Sequence, residues 1–258
     1  MRLQFGYTRT TKYRLNIAIG IDGCKAGWFY FRFDGDAISY GVAKTLAEIL
    51  VDVEGEACIL VDMPIGLPES GKKERQCDLD AREALSPSRA SSVFPTPCRQ
   101  SLAATSYEEA SQINERKLGR KLSRQSYALV PKIRELDELL ASSELARASF
   151  RETHPEVCFW GLLGGPMEYS KRTRDGFVDR MQLLKLVEPA AEEMIAAAFL
   201  VHGGFDAGRD DIVDAFIAAI CARAADNLRT LPASPKLDKR GLPMEICYLS
   251  GINAVRQN

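Results

Sequence analysis

Residues 15–42 read LNIAIGIDGCKAGWFYFRFDGDAISYGV. Residues 15–22 are an apolar run that closes on an acid, Asp22, and residues 23–27 are a turn bounded by glycines. Residues 28–33 are aromatic and β-prone. Asp34, Gly35 and Asp36 are a tight-hairpin signal, and residues 38–42 continue as a third strand. The stretch predicts a three-stranded meander.

Working outward, residues 44–53 place Leu46, Ile49, Leu50 and Val53 at helical spacing. Residues 58–62 are continuously apolar up to a second terminal acid, Asp62, which predicts a strand buried on both faces. Pro64, Gly66 and Pro68 break it. From 70 to about 147 the text turns helical and polar, with a Ser/Pro loop at 86–97. Residues 71–134 hold 13 Lys or Arg against 7 Asp or Glu, whereas the whole chain holds 34 against 35 for a net charge of -1. Taken alone, that segregation is a solvated helical face. Residues 148–153 predict a further strand, and helices follow over 178–187, 189–201 and 210–228. In the last, Ile212, Phe216, Ile220 and Ala224 form an apolar stripe, and Ala215, Ala218, Ala219 and Ala222 permit close packing. Residues 244–249 predict a terminal strand. The expectation is an α/β fold: a mixed five-stranded sheet flanked by helices, one domain over 15–258, with a helical insertion at about 70–147 after the fourth strand.

At 258 residues the chain suits one large domain carrying such an insertion. Apolar residues at 46% and charged residues at 27% argue against disorder, and the near-zero net charge excludes a wholly basic protein. No apolar run reaches the roughly 18–20 residues of a membrane helix, so no membrane partner is expected. Residues 1–14 carry four basic residues and no acid, but lack the apolar stretch and cleavage site of a signal peptide, and read as a frayed leader. Seven cysteines without a CxxC pair fit a reduced, cytoplasmic compartment, and two histidines argue against a Cys/His zinc site.

Three acidic positions share a logic. Asp22 ends the first strand, Asp62 ends the fourth, and Asp210, Asp211 and Asp214 open the late helix, with Asp211 and Asp214 on one helical face. If strands one and four are parallel neighbours, Asp22 and Asp62 emerge at the same edge. Singly, each acid is an ordinary turn former or helix cap. Together they repel, and clustering raises their pKa values unless a cation intervenes. Mg²⁺ and Mn²⁺ prefer such oxygen ligands, and a pair of ions about 4 Å apart stabilises both attacking and leaving oxygens in phosphodiester cleavage.

This order of elements resembles the ribonuclease H-like fold, which carries acids on its first strand, fourth strand and last helix. The wording resembles a narrower family, domain of unknown function 429, predicted to be nucleases of that fold. The matching pieces are GIDGCKAGW (20–28), VDMPIGLP (61–68), RQCD (75–78) with Ala81 and Arg82, SSVFPTP (91–97), ETHPE (152–156), SKR (170–172) and DDIVDA (210–215). The resemblance implies that Asp22, Asp62, Asp211 and Asp214 ligate Mg²⁺ or Mn²⁺ and serve catalysis, with Glu152 a further catalytic candidate. Many metal-dependent relatives of the broad fold carry Glu at the second position, where this chain has the shorter Asp62. Glu48 matches a different branch but lies in an amphipathic surface pattern.

Lys25, Arg75, Arg82, Arg89, Arg99, Lys171 and Arg180 lie in or near the motif segments, as candidates for holding the phosphates of a nucleic acid. Some of these arginines are expected to pair with nearby acids instead. Aromatics in the insert are limited to Phe94, Tyr107 and Tyr127, and no stacking channel for single strands is evident. His154, before Pro155, is either a general base or the partner in a turn hydrogen bond. Cys24 and Cys77 read as small packing residues. The leading expectation is a metal-dependent nuclease. One alternative is an actin-like or sugar-kinase-type phosphotransferase, whose second phosphate hairpin would have to come from Gly203 and Gly204, after a helix. Another is a non-catalytic module that binds nucleic acid or protein.

Overall fold

A computed structural model describes residues 17–256. The expected leader, and residues 15–16 of the first strand, lie outside them. Strands β1 (Ile17–Cys24), β2 (Gly27–Asp34) and β3 (Ala37–Ala43) form the meander, followed by helix α1 (Leu46–Leu50) and strand β4 (Ala57–Val61). The insert supplies α2 (Gln76–Ala84), α3 (Tyr107–Leu118), α4 (Arg124–Ser142) and α5 (Glu144–Ser149). The chain returns as β5 (Phe150–Glu152) and continues through α6 (Pro155–Leu163), α7 (Arg174–Val187), α8 (Ala191–His202) and α9 (Arg209–Arg223). It closes with β6 (Arg229–Leu237), β7 (Pro243–Tyr248) and α10 (Asn253–Arg256). Side-chain caps start several helices: Ser106, Ser123 and Thr173 accept from the backbone N–H groups of Glu109, Ser126 and Gly176.

The main sheet has the order β3-β2-β1-β4-β5. β1–β2 and β2–β3 are antiparallel, whereas β1–β4 and β4–β5 are parallel. This is the ribonuclease H-like arrangement expected from the sequence. Alternation of side chains divides the sheet into two faces. Ala18 and Leu60 join the core around α9, while Ile17, Ile19, Ile21, Ile59 and Val61 join the core beneath the insert. Two residues on from Ala18 and Leu60 by the same parity come Gly20, then Asp22, and Asp62.

Gly20 determines how near α9 can come. A Cβ there would lie 2.0 Å from the Ala219 backbone nitrogen and 2.2 Å from the Ala215 carbonyl oxygen. The helix backbone therefore rests on the strand. Residues Ile212 to Ala222 of α9 are all buried, so this helix is a core element on every side, with Phe216 edge-on to Phe31 at 4.9 Å. On the opposite face α4 packs Ile133, Leu136 and Leu140 against the sheet. Glu135 latches it to the meander, accepting from Trp28 Nε1 at 3.0 Å and from the Leu46 N–H at 2.6 Å.

β6 departs from expectation: a helix to 228 was expected to be followed only by strand 244–249. α9 ends at Arg223, and residues 229–237 pair with β7 in a separate two-stranded sheet. Pro232 and Pro235 obscure the strand in the sequence, yet prolines are tolerated at an edge, and the register shifts between Leu231 and Lys236. Arg99 ties this hairpin to the insert. It bonds Asp238, reaches Asp137 of α4 at 3.1 Å and meets Glu69 at 3.0 Å. No helix among the described residues is long and apolar enough to cross a membrane.

Two outcomes are expected. Gly20→Ala sets a methyl group against immovable backbone and should cost about 3 kcal/mol or more by urea denaturation; an unchanged midpoint would disprove the close approach. Burial opposes ionisation of Asp238 and Glu69, but hydrogen bonds from Arg99 outweigh it and hold both below their usual values of 3.8 and 4.5. Carboxylates lowered on folding stabilise above their unfolded values and lose that contribution as pH falls through the folded ones. Urea midpoints should therefore drop on acidification below about pH 4.5 in the natural protein, and Arg99→Met should flatten that drop while lowering the midpoint near neutrality.

Candidate functional site

Asp22 lies on β1 with its Oδ1 accepting from the Gly23 N–H at 2.7 Å. Asp62 follows β4 directly, and its N–H donates to the Ile21 carbonyl at 3.0 Å, fixing it beside Asp22. Asp214 sits in the second turn of α9, adjacent to the Ala215 that rests on Gly20. Asp22 is 8% exposed and Asp214 2%, while Asp62 is half-buried. Three elements thus direct three carboxylates to one end of the parallel strands.

They are close enough to feel one another. Burial, then repulsion from Asp62 and Asp214, pushes Asp22 well above the usual aspartate value. Burial raises Asp62, opposed by His154 and Lys171. Burial raises Asp214 to about 6, opposed by Lys171 and reinforced by Asp62 and Glu156. The Lys171 ammonium donates to Asp214 Oδ2 and stands 3.9 Å from Asp210. Although burial disfavours its charge, Asp214 and Asp22 hold it protonated beyond the ordinary lysine range. Gly176 lets the turn carrying Lys171 fold in, because a Cβ there would lie 2.0 Å from the Ser170 carbonyl oxygen.

By donor type and charge these carboxylates suit a hard divalent ion: oxygen ligands only, and one ammonium against three acids. Among the described residues no group of three or more His, Cys, Asp or Glu side chains is already arranged to hold a metal ion. The cation touching the cluster is Lys171.

A cleft of about 190 Å³ opens beside the carboxylates. Asp22 and Asp62 line it together with His154, Lys132 and the Ser92–Thr96 part of the insert. Arg82 Nε donates to the Val93 carbonyl at 3.0 Å and steadies that wall.

Several residues singled out in the sequence stand elsewhere. Glu152 shares the parity of Phe150 and faces the insert side of the sheet, opposite Asp22 and Asp62. Its carboxylate is taken by Arg75 at 2.7 and 2.8 Å and by the Ile65 N–H at 2.6 Å, so it is a structural acid at the cleft's edge. Asp211 caps α9, accepting from the Gly208 N–H at 2.8 Å, and only Asp214 of the pair meets Lys171 closely. Arg75, Arg99 and Arg180 are not offered to phosphates: all three are buried, and a buried guanidinium needs a counter-charge. Arg75 bonds Asp78 and Glu152, Arg99 the network above, and Arg180 bonds Glu156 at 2.6 and 2.8 Å. Arg82 also pairs with Glu74 at 2.7 Å. Arg89 is half-buried with an unpartnered Nε, and Lys25 is exposed. Glu48 accepts from the Lys44 N–H at the start of α1. Burial pushes the Cys24 and Cys77 thiols up, which keeps them protonated and suits packing. Gly203 and Gly204 follow α8 and form no strand hairpin.

Glu156 and Thr96 were not given roles in the sequence. Glu156 lies in the first turn of α6 and is held by Arg180, and its charge raises Asp62 and Asp214. Its place one turn beyond a strand end, in ETHPE, was the available signal.

No curated protein and no solved structure matched the chain. A family model described as "Protein of unknown function (DUF429)" matches residues 20–237, a span that takes in Gly20, the three carboxylates, the insert and Lys171. The chain belongs to the DUF429 family.

Proposed function

We propose that the protein is a metal-dependent hydrolase of phosphodiester bonds in nucleic acid. The supporting observation is the meeting of Asp22, Asp62 and Asp214, from three elements, around a single ammonium. Burying like charges together is costly without a purpose or a stronger cation. Asp22, Asp62 and Asp214 would hold Mg²⁺ or Mn²⁺. Such an ion supplies Lewis acidity toward a phosphoryl oxygen and lowers the pKa of water.

The chain's own groups divide the remaining work. Lys171, beside Asp214, offers N–H donors to a non-bridging phosphate oxygen. His154 lines the cleft with Asp62, which places an imidazole where a general base for attacking water is needed. Glu156, fixed by Arg180, keeps the local potential negative and favours cation uptake. Seven thiols, none in a disulfide, suit the reducing cytoplasm.

The test is Mn²⁺-dependent cleavage of a labelled oligonucleotide. Asp22→Asn, Asp62→Asn and Asp214→Asn should each lower the rate by at least about 100-fold and abolish the rise in Tm that Mn²⁺ gives the natural protein. Without metal, Asp22→Asn should melt at the same temperature or higher, because it removes a repelled, desolvated charge. Undiminished cleavage in the three variants would exclude the carboxylates from the chemistry.

A further inference from the structure

The cleft beside the carboxylates is small and partly walled by apolar side chains. Its volume is about 190 Å³, well below the ~300–1,000 Å³ of ordinary drug-sized pockets. Asp22 and Asp62 stand in it as the acidic edge, and Val93, Phe94 and Ile246 contribute apolar wall. A phosphate or a hydrated metal alone gains nothing from an aromatic and aliphatic lining, whereas a nucleobase does, since every base has a π-face.

A second observation points the same way. Thr96 lines this cleft, is 2% exposed, and its hydroxyl makes no hydrogen bond among the described residues. His154 lines it too, with Nδ1 unpartnered and Nε2 only 3.4 Å from the Ser92 carbonyl. Buried polar atoms are almost always paired, and two orphans in one cleft call for a ligand edge bearing both donors and acceptors. The rim of a heterocyclic base has that character.

We propose, building on the hydrolase reading above, that the cleft receives one unstacked nucleobase while its phosphate reaches the divalent ion that Asp22 and Asp62 would hold. The substrate is then nucleic acid whose base at the scissile position is already out of the stack, as in a single strand. Extruding a base from an intact duplex costs unpairing and unstacking, so duplexes bind less well.

The probe is a short single-stranded oligonucleotide carrying one 2-aminopurine, compared with the same strand in a duplex and with the strand made abasic at that position. Natural protein should bind the single strand at least ten-fold more tightly than either comparator. Phe94→Ala and Thr96→Val should each weaken single-strand binding about ten-fold, and Thr96→Ser should retain it. Thr96→Val should leave Tm equal or higher, because the hydroxyl it removes is unpaired, and this separates a lost ligand contact from a damaged fold. Equal binding of abasic and base-bearing strands, or of duplex and single strand, overturns the inference while leaving Mn²⁺-dependent cleavage untouched. Base-dependent binding without any Mn²⁺ effect on Tm or cleavage upholds the nucleobase site and overturns the metal-dependent reading instead.

Discussion

Fold and site depend on one contact, the seating of the α9 backbone on β1 at Gly20. Ala215 and Ala219 are small enough to let it happen, and Gly20 has no side chain to prevent it. The seated helix is buried along its length and organises the core on that face. The same seating puts Asp214 beside Asp22, because each lies within a turn or two residues of the contact. Any larger residue at position 20 would lift the helix and separate the carboxylates in one motion. Stability and site geometry are therefore not independent in this chain.

Electrostatics supplies the second constraint. Desolvation raises all three carboxylates, repulsion within the trio adds to it at Asp22 and Asp214, and Lys171 answers only part of that charge. Elsewhere the protein buries charge in satisfied sets: Arg75 with Asp78 and Glu152, Arg99 with Asp137, Asp238 and Glu69, and Arg180 with Glu156. Removing one member of such a set is expensive because it orphans the others, so these arginines fix where loops and helices lie more than they add net stability. The carboxylates near Lys171 are the exception, an acidic excess held by a rigid frame. Electrostatic sites that act on charge have this preorganised form.

The meander, the buried fourth strand and the three convergent acids were legible because each rests on a local rule: apolar runs, a hairpin signal, and acids at strand ends. The direction of Glu152 was not legible because a sheet alternates. Position along the strand looked right, but its parity with Phe150 sends it to the other face. Some arginines were expected to pair with acids, but which ones was not legible, because local charge count carries no information about burial and the partners of Arg99 lie as far off as Asp238. Pro232 and Pro235 disguised β6, which among the described residues pairs with β7 alone. Phe94 was seen as one of few aromatics in the insert, and it stands in the wall of the cleft. Thr96 could not be singled out, since an unpaired hydroxyl is a property of its surroundings.

The position of the insertion explains its relevance better than its charge does. β1, β4 and β5 run parallel, so Asp22, Asp62 and the Thr153–His154 turn all emerge at the carboxyl ends of neighbouring strands. In open α/β sheets this edge is where ligands bind. The insert leaves the sheet immediately after β4 and returns into β5, so its first loops must pass this edge. That route brings Ser92–Thr96 and Lys132 to the carboxylates, and Arg82 and Arg75, through their own partners, hold the route in place. Of the basic residues in this segment, Arg75, Arg82, Arg99 and Arg124 pair with acids among the described residues. What the insertion contributes to the site is a wall, and it could do so from no other junction in this sheet as directly as from the one following Asp62.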